Sequence, residues 1–473
     1  MKDCDYLLKL RENNKIEFKT GKDKIPLSLY ETFSSFSNTL GGTIYLGIEE
    51  ENGIPKIVGI NNAVQKKNQL ANALLNKSKV SKNSFKESDI NIINTKNGDV
   101  IELIVNPVEK ELKPVFLNGD PSLAYKRIDQ DDLLLDEAEI KSLINDASFE
   151  KFDQKINAFK LNYNDLDNNS VESFIEDVKA AGKISNANKL SKEEILAKVG
   201  ALIRNPNNGE LQLTNGAILF LGKSLDINSL LPNLWLDYQE IKDGNSRYNY
   251  RCHNKELESE SNIYTFFKKV KNRLLDILPA PFTLVNGQEV GKLKMEETIR
   301  EALANSISNL DLFSHEGLII KKYPNALSIV NAGTILIGLK QALVGGKSLP
   351  RNPNIMNYFL AMGISDHGGF GIPNIFENME LLHFSKPSLE EDISNNETKL
   401  LLDLTLLKIQ LTAEEQKVIL YVNMHPDGLT SFELANYLKC SKEKSRQLLN
   451  KLKENSFVKD NGKSSKGKKY FPI

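Results

Sequence analysis

LSLYETFSSFSNTLGGTIYLGIEEENG, residues 27–53, changes its period halfway along. Leu29, Phe33, Phe36 and Leu40 recur at helical spacing, so the first half predicts a helix with one apolar face. Gly41 and Gly42 stop that helix and permit a tight turn. TIYLGI, residues 43–48, is of buried-strand type. Three acids, Glu49, Glu50 and Glu51, close the strand. A helix, a glycine turn and a buried strand in succession predict an α+β domain.

The neighbouring stretches extend that pattern. KIEFKT (15–20) alternates like a strand. DINIIN (89–94) and VIELIV (100–105) flank TKNGD, whose Asn97-Gly98 pair signals a hairpin. EAEIKSLINDAS (137–148) predicts a closing helix, so the first domain is read as residues 1–148. KFDQKINAFKLNYNDLDNNS (151–170) is polar and reads as a linker. Residues 171–223 give two helices and a hairpin with Asn208-Gly209 at its turn, so 149–225 reads as a linker and a small winged-helix-like unit. Residues 226–395 read as a larger α/β block with helices at 261–278 and 295–308 and a hairpin at 317–332. Residues 386–410 are acidic and Asn-rich at first and are expected to connect, so 396–473 reads as a linker and a final domain.

Composition bounds the function classes. The chain has 473 residues, 40% hydrophobic and 26% charged, which is ordinary globular composition. That length predicts about two to four domains. The net charge of −1 excludes a global field attracting nucleic acid, so any such signal must be local. Cys4, Cys252 and Cys440 lie far apart, which argues for a reducing cytosol and against a disulfide framework or a Cys-rich zinc site. MKDCDYLLKLRENN has no apolar core of signal-peptide length, and no apolar run approaches the roughly 20 residues that span a bilayer. A cytoplasmic protein with no membrane partner is expected, and the abundance of Lys, Asn and Ile suggests an AT-rich bacterial genome.

The three acids gain meaning beside the N-terminus. Glu12 and Glu17 lie in RENNKIEFK. They are followed by Phe36-x-Asn38-x-x-Gly41-Gly42, then Gly47-Ile48-Glu49-Glu50, then KPVFLNG (113–119) and AYKR (124–127). This order resembles the AlbA-like domain shared with the Schlafen family. The resemblance implies nucleic-acid binding, and in some Schlafen members a carboxylate trio cuts RNA. Such chemistry needs acids converging on one or two Mg²⁺ or Mn²⁺ ions that activate water and stabilise the leaving oxygen. Glu12, Glu17 and Glu49 or Glu50 are the candidates here, with Lys19 beside the phosphate. The third acid is Glu where the cutting members usually have Asp. The plainer reading makes all of them solvated acids at a strand end.

IREALANSISNLD (299–311) is helical, with Glu301 and Asn305 one turn apart on one face. LSIVNAGT (327–334) is a strand running into a glycine turn, and GGKSLPRNPNIMNYFLAMGISDHGGFGIPNIFENM follows from Gly345. These segments look like those of the RecG-related transcriptional regulators, whose middle region resembles the ATP-binding fold of histidine kinases, gyrase and Hsp90. By that resemblance Asn305 is the Mg²⁺ candidate and Glu301 the base candidate. Asn331 and Gly333 lie at the adenine position, and Gly369 and Gly371 at the phosphate lid. Asn331 stands where the ATPases have Asp. Asn309-Leu310-Asp311 retains only the Asp of the regulators' usual His-Arg-Asp. The alternative is a nucleotide-free structural or dimerisation module.

Thr412 with Glu415, and Thr430 with Glu433, have capping-box spacing. A third helix and a hairpin with a basic Ser/Gly tip complete the pattern of a winged helix-turn-helix. Residues 411–473 hold 12 Lys and Arg against 7 Asp and Glu, an excess of five positive charges. Lys442, Lys444 and Arg446 open the predicted recognition helix, and Lys463, Lys466, Lys468 and Lys469 lie on the wing. Leu434, Leu438, Leu448, Leu449, Leu452 and Phe457 are read as core. The first reading of the whole is a cytoplasmic DNA-binding transcriptional regulator, responsive to ATP and forming homo-oligomers. Its rivals are a metal-dependent nuclease acting on tRNA or DNA in phage defence, and an oligomeric scaffold. A weak ATPase is the other enzymatic option. No Walker A sequence is present, so the RecG relation does not imply a helicase.

Overall fold

Gly41 and Gly42 let the chain double back where no side chain fits. A Cβ on Gly41 would stand 2.6 Å from the Val105 carbonyl oxygen, and one on Gly42 would stand 2.6 Å from the Phe36 ring. The computed structural model describes residues 6–51, 53–159, 161–241, 248–256, 261–285, 288–365, 368–406, 412–455, 457–463 and 467–472. Among these it is a mixed α+β chain with several sheets and fifteen α-helices.

The helix Ser28–Asn38 buries Leu29, Phe33 and Phe36 against a four-stranded sheet. Strand Gly42–Leu46 is central. It pairs in parallel with Ile16–Lys19 (Ile16 opposite Thr43) and antiparallel with Gly98–Val105 (Gly42 opposite Val105). Ile90–Thr95 completes the sheet as the predicted hairpin partner. At Gly47 the backbone takes φ 104, and the chain leaves the sheet. Ile48–Glu51 pairs instead with Ile54–Ile57 as a separate ribbon, with Ile48 buried and the three acids exposed. Asn38 fastens the following meander (Phe116–Leu117, Asp120–Ile128, Asp131–Leu134) to this helix. Its amide donates to the carbonyls of Val115 and Tyr125, each at 2.9 Å, and its oxygen accepts from the Val115 N–H at 2.8 Å. Asp136 and Glu139 cap the helix Glu137–Ala147 reciprocally.

The middle of the chain shares one apolar core running from Leu166 to Leu404. Its six-stranded sheet has the order Tyr250–His253, Leu236–Glu240, Leu318–Tyr323, Ala326–Ala332, Glu397–Asp403, Ser388–Asp392. Only the pairing of Leu236–Glu240 with Leu318–Tyr323 is parallel; the rest are antiparallel. Helices Ile263–Ile277, Gly291–Ser308 and Pro353–Ala361 contribute to the same core.

Three element expectations are corrected here. The supposed connector 386–410 supplies two of the six strands, because Leu400 and Leu402 alternate into the core beneath a polar turn. The polar stretch 151–170 is not a free linker, since Asp153 and Asn157 are buried in it. The hairpin with Asn208-Gly209 in its turn does form, pairing Leu202–Arg204 with Leu211–Leu213, but it ends at Leu213. Thr214 then caps the helix Asn215–Leu221, and that helix is buried all round.

The last unit has helices Ala413–Asn423, Ser431–Leu438 and Lys442–Glu454 and an antiparallel pair, Val458–Asp460 with Tyr470–Pro472. Thr412/Glu415 and Thr430/Glu433 form capping boxes, each worth about 1 kcal/mol. Leu434, Leu449 and Leu452 are buried, with Leu438, Leu448 and Phe457 packed against them. Among the described residues no helix is long and apolar enough to cross a membrane.

Candidate functional site

Three groups of side chains carry the predicted chemistry, and the structure treats them differently. Glu17 lies on the buried face of strand Ile16–Lys19 and is 7% exposed. Lys19 Nζ donates to its Oε1 at 2.5 Å and Arg127 Nη2 to its Oε2 at 2.6 Å. Arg127 is buried, lies over the Phe36 ring at 5.2 Å, and also donates to Asp132 Oδ1 at 3.0 Å. Asp132 in turn accepts from the hydroxyls of Thr32 and Ser35. Glu17 is thus one end of a buried ion-pair network joining strand, helix and meander.

Glu12 accepts from the Phe18 N–H at 2.8 Å. Burial pushes its carboxyl above the ordinary range, the Phe18 donor opposes this, and the nearby charges of Glu17 and Glu50 add to the rise. Glu49 and Glu51 stand opposite Lys56 and Ile54 on the exposed ribbon. Among the described residues no group of three or more Asp, Glu, His or Cys side chains is placed to hold a metal ion. Glu12, Glu17 and Glu50 share an electrostatic neighbourhood, but both oxygens of Glu17 already have cationic partners.

Six residues spread from 301 to 371 meet in the second group. Glu301, Asn305, Asn331, Gly333, Gly369 and Gly371 all line one cavity of about 90 Å³. Asn305 Nδ2 donates to Glu301 Oε1 at 3.0 Å, and the Ser365 hydroxyl donates to the same oxygen at 3.0 Å. Asn331 is buried, and its amide donates to the Ala332 carbonyl at 3.2 Å. Gly333 N–H donates to the Asn396 carbonyl at 2.6 Å, and the Thr398 hydroxyl to the Gly333 carbonyl at 2.7 Å. Gly371 begins the helix Gly371–Leu381 directly against the acid: a Cβ there would stand 1.9 Å from Glu301 Oε1 and 2.7 Å from Asn305 Nδ2. Gly369 lies as tightly on the Lys347 carbonyl, 2.2 Å from a built Cβ. The glycine segment therefore fills the space in front of Asn305. Ligand sites usually enclose roughly 300–1,000 Å³. As arranged, these residues do not fit a magnesium-bound nucleotide.

The third group lies on the last unit. Lys442, Lys444, Arg446 and Lys463 are exposed, while Lys468 and Lys469 are half-buried; Lys466 lies outside the described residues. Lys444 pairs with Glu414 at 2.5 Å, Arg446 with Glu443 at 2.9 Å and Lys468 with Asp460 at 3.0 Å. Lys453 and Lys468 together hold the Asp460 carboxyl well below its ordinary range. Lys469 Nζ donates to the Asp427 carbonyl at 3.4 Å. Such exposed pairs are weak, because solvent screens them, and exchange readily for other anions.

Residue-type reasoning named Glu17 and Asp311 but missed the buried arginines beside them, Arg127 and Arg351. Arg127 was legible, since the alternation of Asp120–Ile128 puts it on the same face as Leu123 and Tyr125, where an Arg needs an acid. Arg351 gave no such signal. It is buried and donates twice to Asp146, at 2.7 and 2.8 Å, and to the carbonyls of Asn309 and Thr334. Asp311 beside it accepts from the Ser142 hydroxyl at 2.7 Å, and burial raises its carboxyl. Lys110 Nζ donates to the Ile335 carbonyl, and burial pushes its ammonium down to about 8.

Three stretches of the chain match protein families. Residues 12–136 match "Schlafen, AlbA_2", residues 316–401 match "Putative ATP-dependent DNA helicase recG C-terminal", and residues 141–237 match "Domain of unknown function (DUF8451)". The crystal structure of the DIP2311 protein from Corynebacterium diphtheriae is similar at 13% identity and a TM-score of 0.40, over 97% of this chain and 95% of that one. The solution structure of the N-terminal domain of a RecG-related protein from Nitrosomonas europaea is similar at 23% identity and a TM-score of 0.22, over 28% of this chain and 92% of that one. No curated protein matches the chain. The chain carries a Schlafen/AlbA_2 domain and a RecG C-terminal-type domain, and these families suggest a nucleic-acid-related function.

Proposed function

We propose that this chain is a DNA-binding protein that acts as a transcriptional regulator, with its last unit serving as a winged helix. The observation that carries this reading is the local excess of five positive charges in residues 411–473 of a nearly neutral chain. The start of Lys442–Glu454 and the hairpin after it bear eight of the twelve Lys and Arg residues of this unit. A helix start bearing Lys442, Lys444 and Arg446 suits a major groove, and Lys463, Lys468 and Lys469 suit the backbone beside it. Phosphates would compete with Glu414, Glu443 and Asp460 for these cations, which costs little at exposed positions. The Schlafen/AlbA_2 match supports a second nucleic-acid contact in the first domain.

The test is duplex DNA binding by the full chain across a salt series. Log affinity should fall linearly with log salt, by about 0.9 per phosphate contact. Replacing Lys442, Arg446 and Lys469 with Ala should weaken binding and flatten the slope by about 1 per lost contact. Unchanged affinity and slope in the triple variant would remove the last unit from DNA recognition. In this reading ATP enters the central cavity only if the segment around Gly369 and Gly371 moves away from Glu301 and Asn305.

A further inference from the structure

A second cavity, of about 340 Å³, lies between the helices Asn168–Ala181, Ile263–Ile277 and Gly291–Ser308, closed by the turn at Gly363. We propose that it binds a phosphate-bearing small molecule. Four cations line it, Lys183, Lys268, Lys271 and Arg300, against two carboxylates, Asp177 and Glu296. Lys268 is committed: its Nζ sits 3.1 Å from Asp177 and donates to the hydroxyls of Ser173 and Tyr264. Arg300 is anchored, with Nη2 donating to the Gly363 carbonyl at 2.9 Å and Nη1 no closer than 3.9 Å to Glu296. A guanidinium held on one side presents its remaining N–H groups in a fixed fork, which matches phosphate oxygens.

Lys183 and Lys271 form no ion pair with a described residue. The carbonyl ends of Asn168–Ala181 and Pro353–Ala361 border the cavity and offset some of the charge, roughly half a unit each. An excess of positive charge remains in the concavity, where such a field concentrates counter-ions. The volume suits a small phosphorylated body. The cavity also adjoins the one lined by Glu301 and Asn305. Arg300 precedes Glu301 on the same helix, and the turn at Gly363 leads to Ser365, which donates to Glu301.

Calorimetry on the full chain tests this with pyrophosphate as the probe, beside a mononucleotide and a single-stranded oligonucleotide. Pyrophosphate should bind, and the double variant Lys183→Ala, Lys271→Ala should bind it at least tenfold more weakly. Lys271→Arg should retain binding, while Lys179→Ala, one cation lost outside the cavity, should leave it unchanged. The C-terminal triple variant should also leave it unchanged, which separates this site from DNA recognition. No binding of pyrophosphate, equal weakening by Lys179→Ala, or binding of the oligonucleotide alone would each overturn the proposal. Circular dichroism of the double variant checks folding, and both replaced side chains reach solvent, so the fold should survive.

Discussion

Asp153 shows how far a buried side chain can depart from its surface chemistry. It has no exposed surface, accepts from the Ile355 N–H at 3.1 Å, and its Oδ1 has no hydrogen-bond partner among the described residues. Burial pushes its carboxyl from 3.8 up to about 7. Between about pH 4 and 7 the native state keeps a proton that the unfolded chain has released, so stability falls as pH rises through that window. Three pK units at about 1.36 kcal/mol each bound the effect at roughly 4 kcal/mol. Urea unfolding from pH 5 to 8 should show the decline in the wild type and a flatter profile for Asp153→Asn; parallel profiles would place the titration elsewhere. The Glu17 network makes a different case, a buried carboxylate with a cation on each oxygen. Arg127→Ala leaves Glu17 with Lys19 alone and Asp132 without its ion pair, and should cost about 3–5 kcal/mol in thermal unfolding. Mn²⁺ should leave the melting temperature of the wild type unchanged, because both Glu17 oxygens are engaged. A rise seen in the wild type and absent in Glu17→Gln would instead restore these acids as a metal site.

Among the elements, the start of helix Gly371–Leu381 is the most exacting. Its first residue touches the Glu301 carboxylate so closely that one added methyl must displace either the helix or the acid. Gly371→Ala should lower stability by about 1–3 kcal/mol, the usual cost of overpacking. It should also break the hydrogen bonds of Asn305 and Ser365 to Glu301, visible as shifted side-chain amide resonances. Unchanged stability and spectra would mean that this segment already swings clear of Glu301 in solution. That result would also reopen the cavity to a nucleotide.

At the scale of the whole molecule, the first domain and the central unit are joined by buried polar contacts. Helix Glu137–Ala147 offers Asp146 to Arg351 and Ser142 to Asp311, and Lys110 reaches the Ile335 carbonyl beside the cavity. Removing Arg351 takes the guanidinium from the half-buried Asp146 and from beside the buried Asp311, which should cost about 3–5 kcal/mol at the junction. Trp235, the single tryptophan, lies in the central unit and reports on it alone. In urea, tryptophan fluorescence and far-ultraviolet circular dichroism should coincide for the wild type and separate for Arg351→Ala. Coincident curves in the variant would show that the two units are held together by something other than this ion pair.

Period and punctuation along the chain were enough to place the helix Ser28–Asn38, the glycine turn after it, the Asn97-Gly98 hairpin and the two C-terminal capping boxes. These depend on residues within a few positions of one another, so local sequence carries them. The spacing of Glu301 and Asn305 on one helix face was legible in the same way. Tertiary packing alone decided the rest. The strands of 388–403 were hidden because acids and asparagines at their turn mask an alternation that matters only when a sheet edge is waiting for it. Glu17 reads as a surface acid until Arg127, 110 positions away, is folded against it. Gly371 reads as a loop glycine until it meets Glu301 at a distance that leaves no room for a side chain. A buried charge takes its meaning from its partner, and a partner distant in sequence is supplied only by the fold.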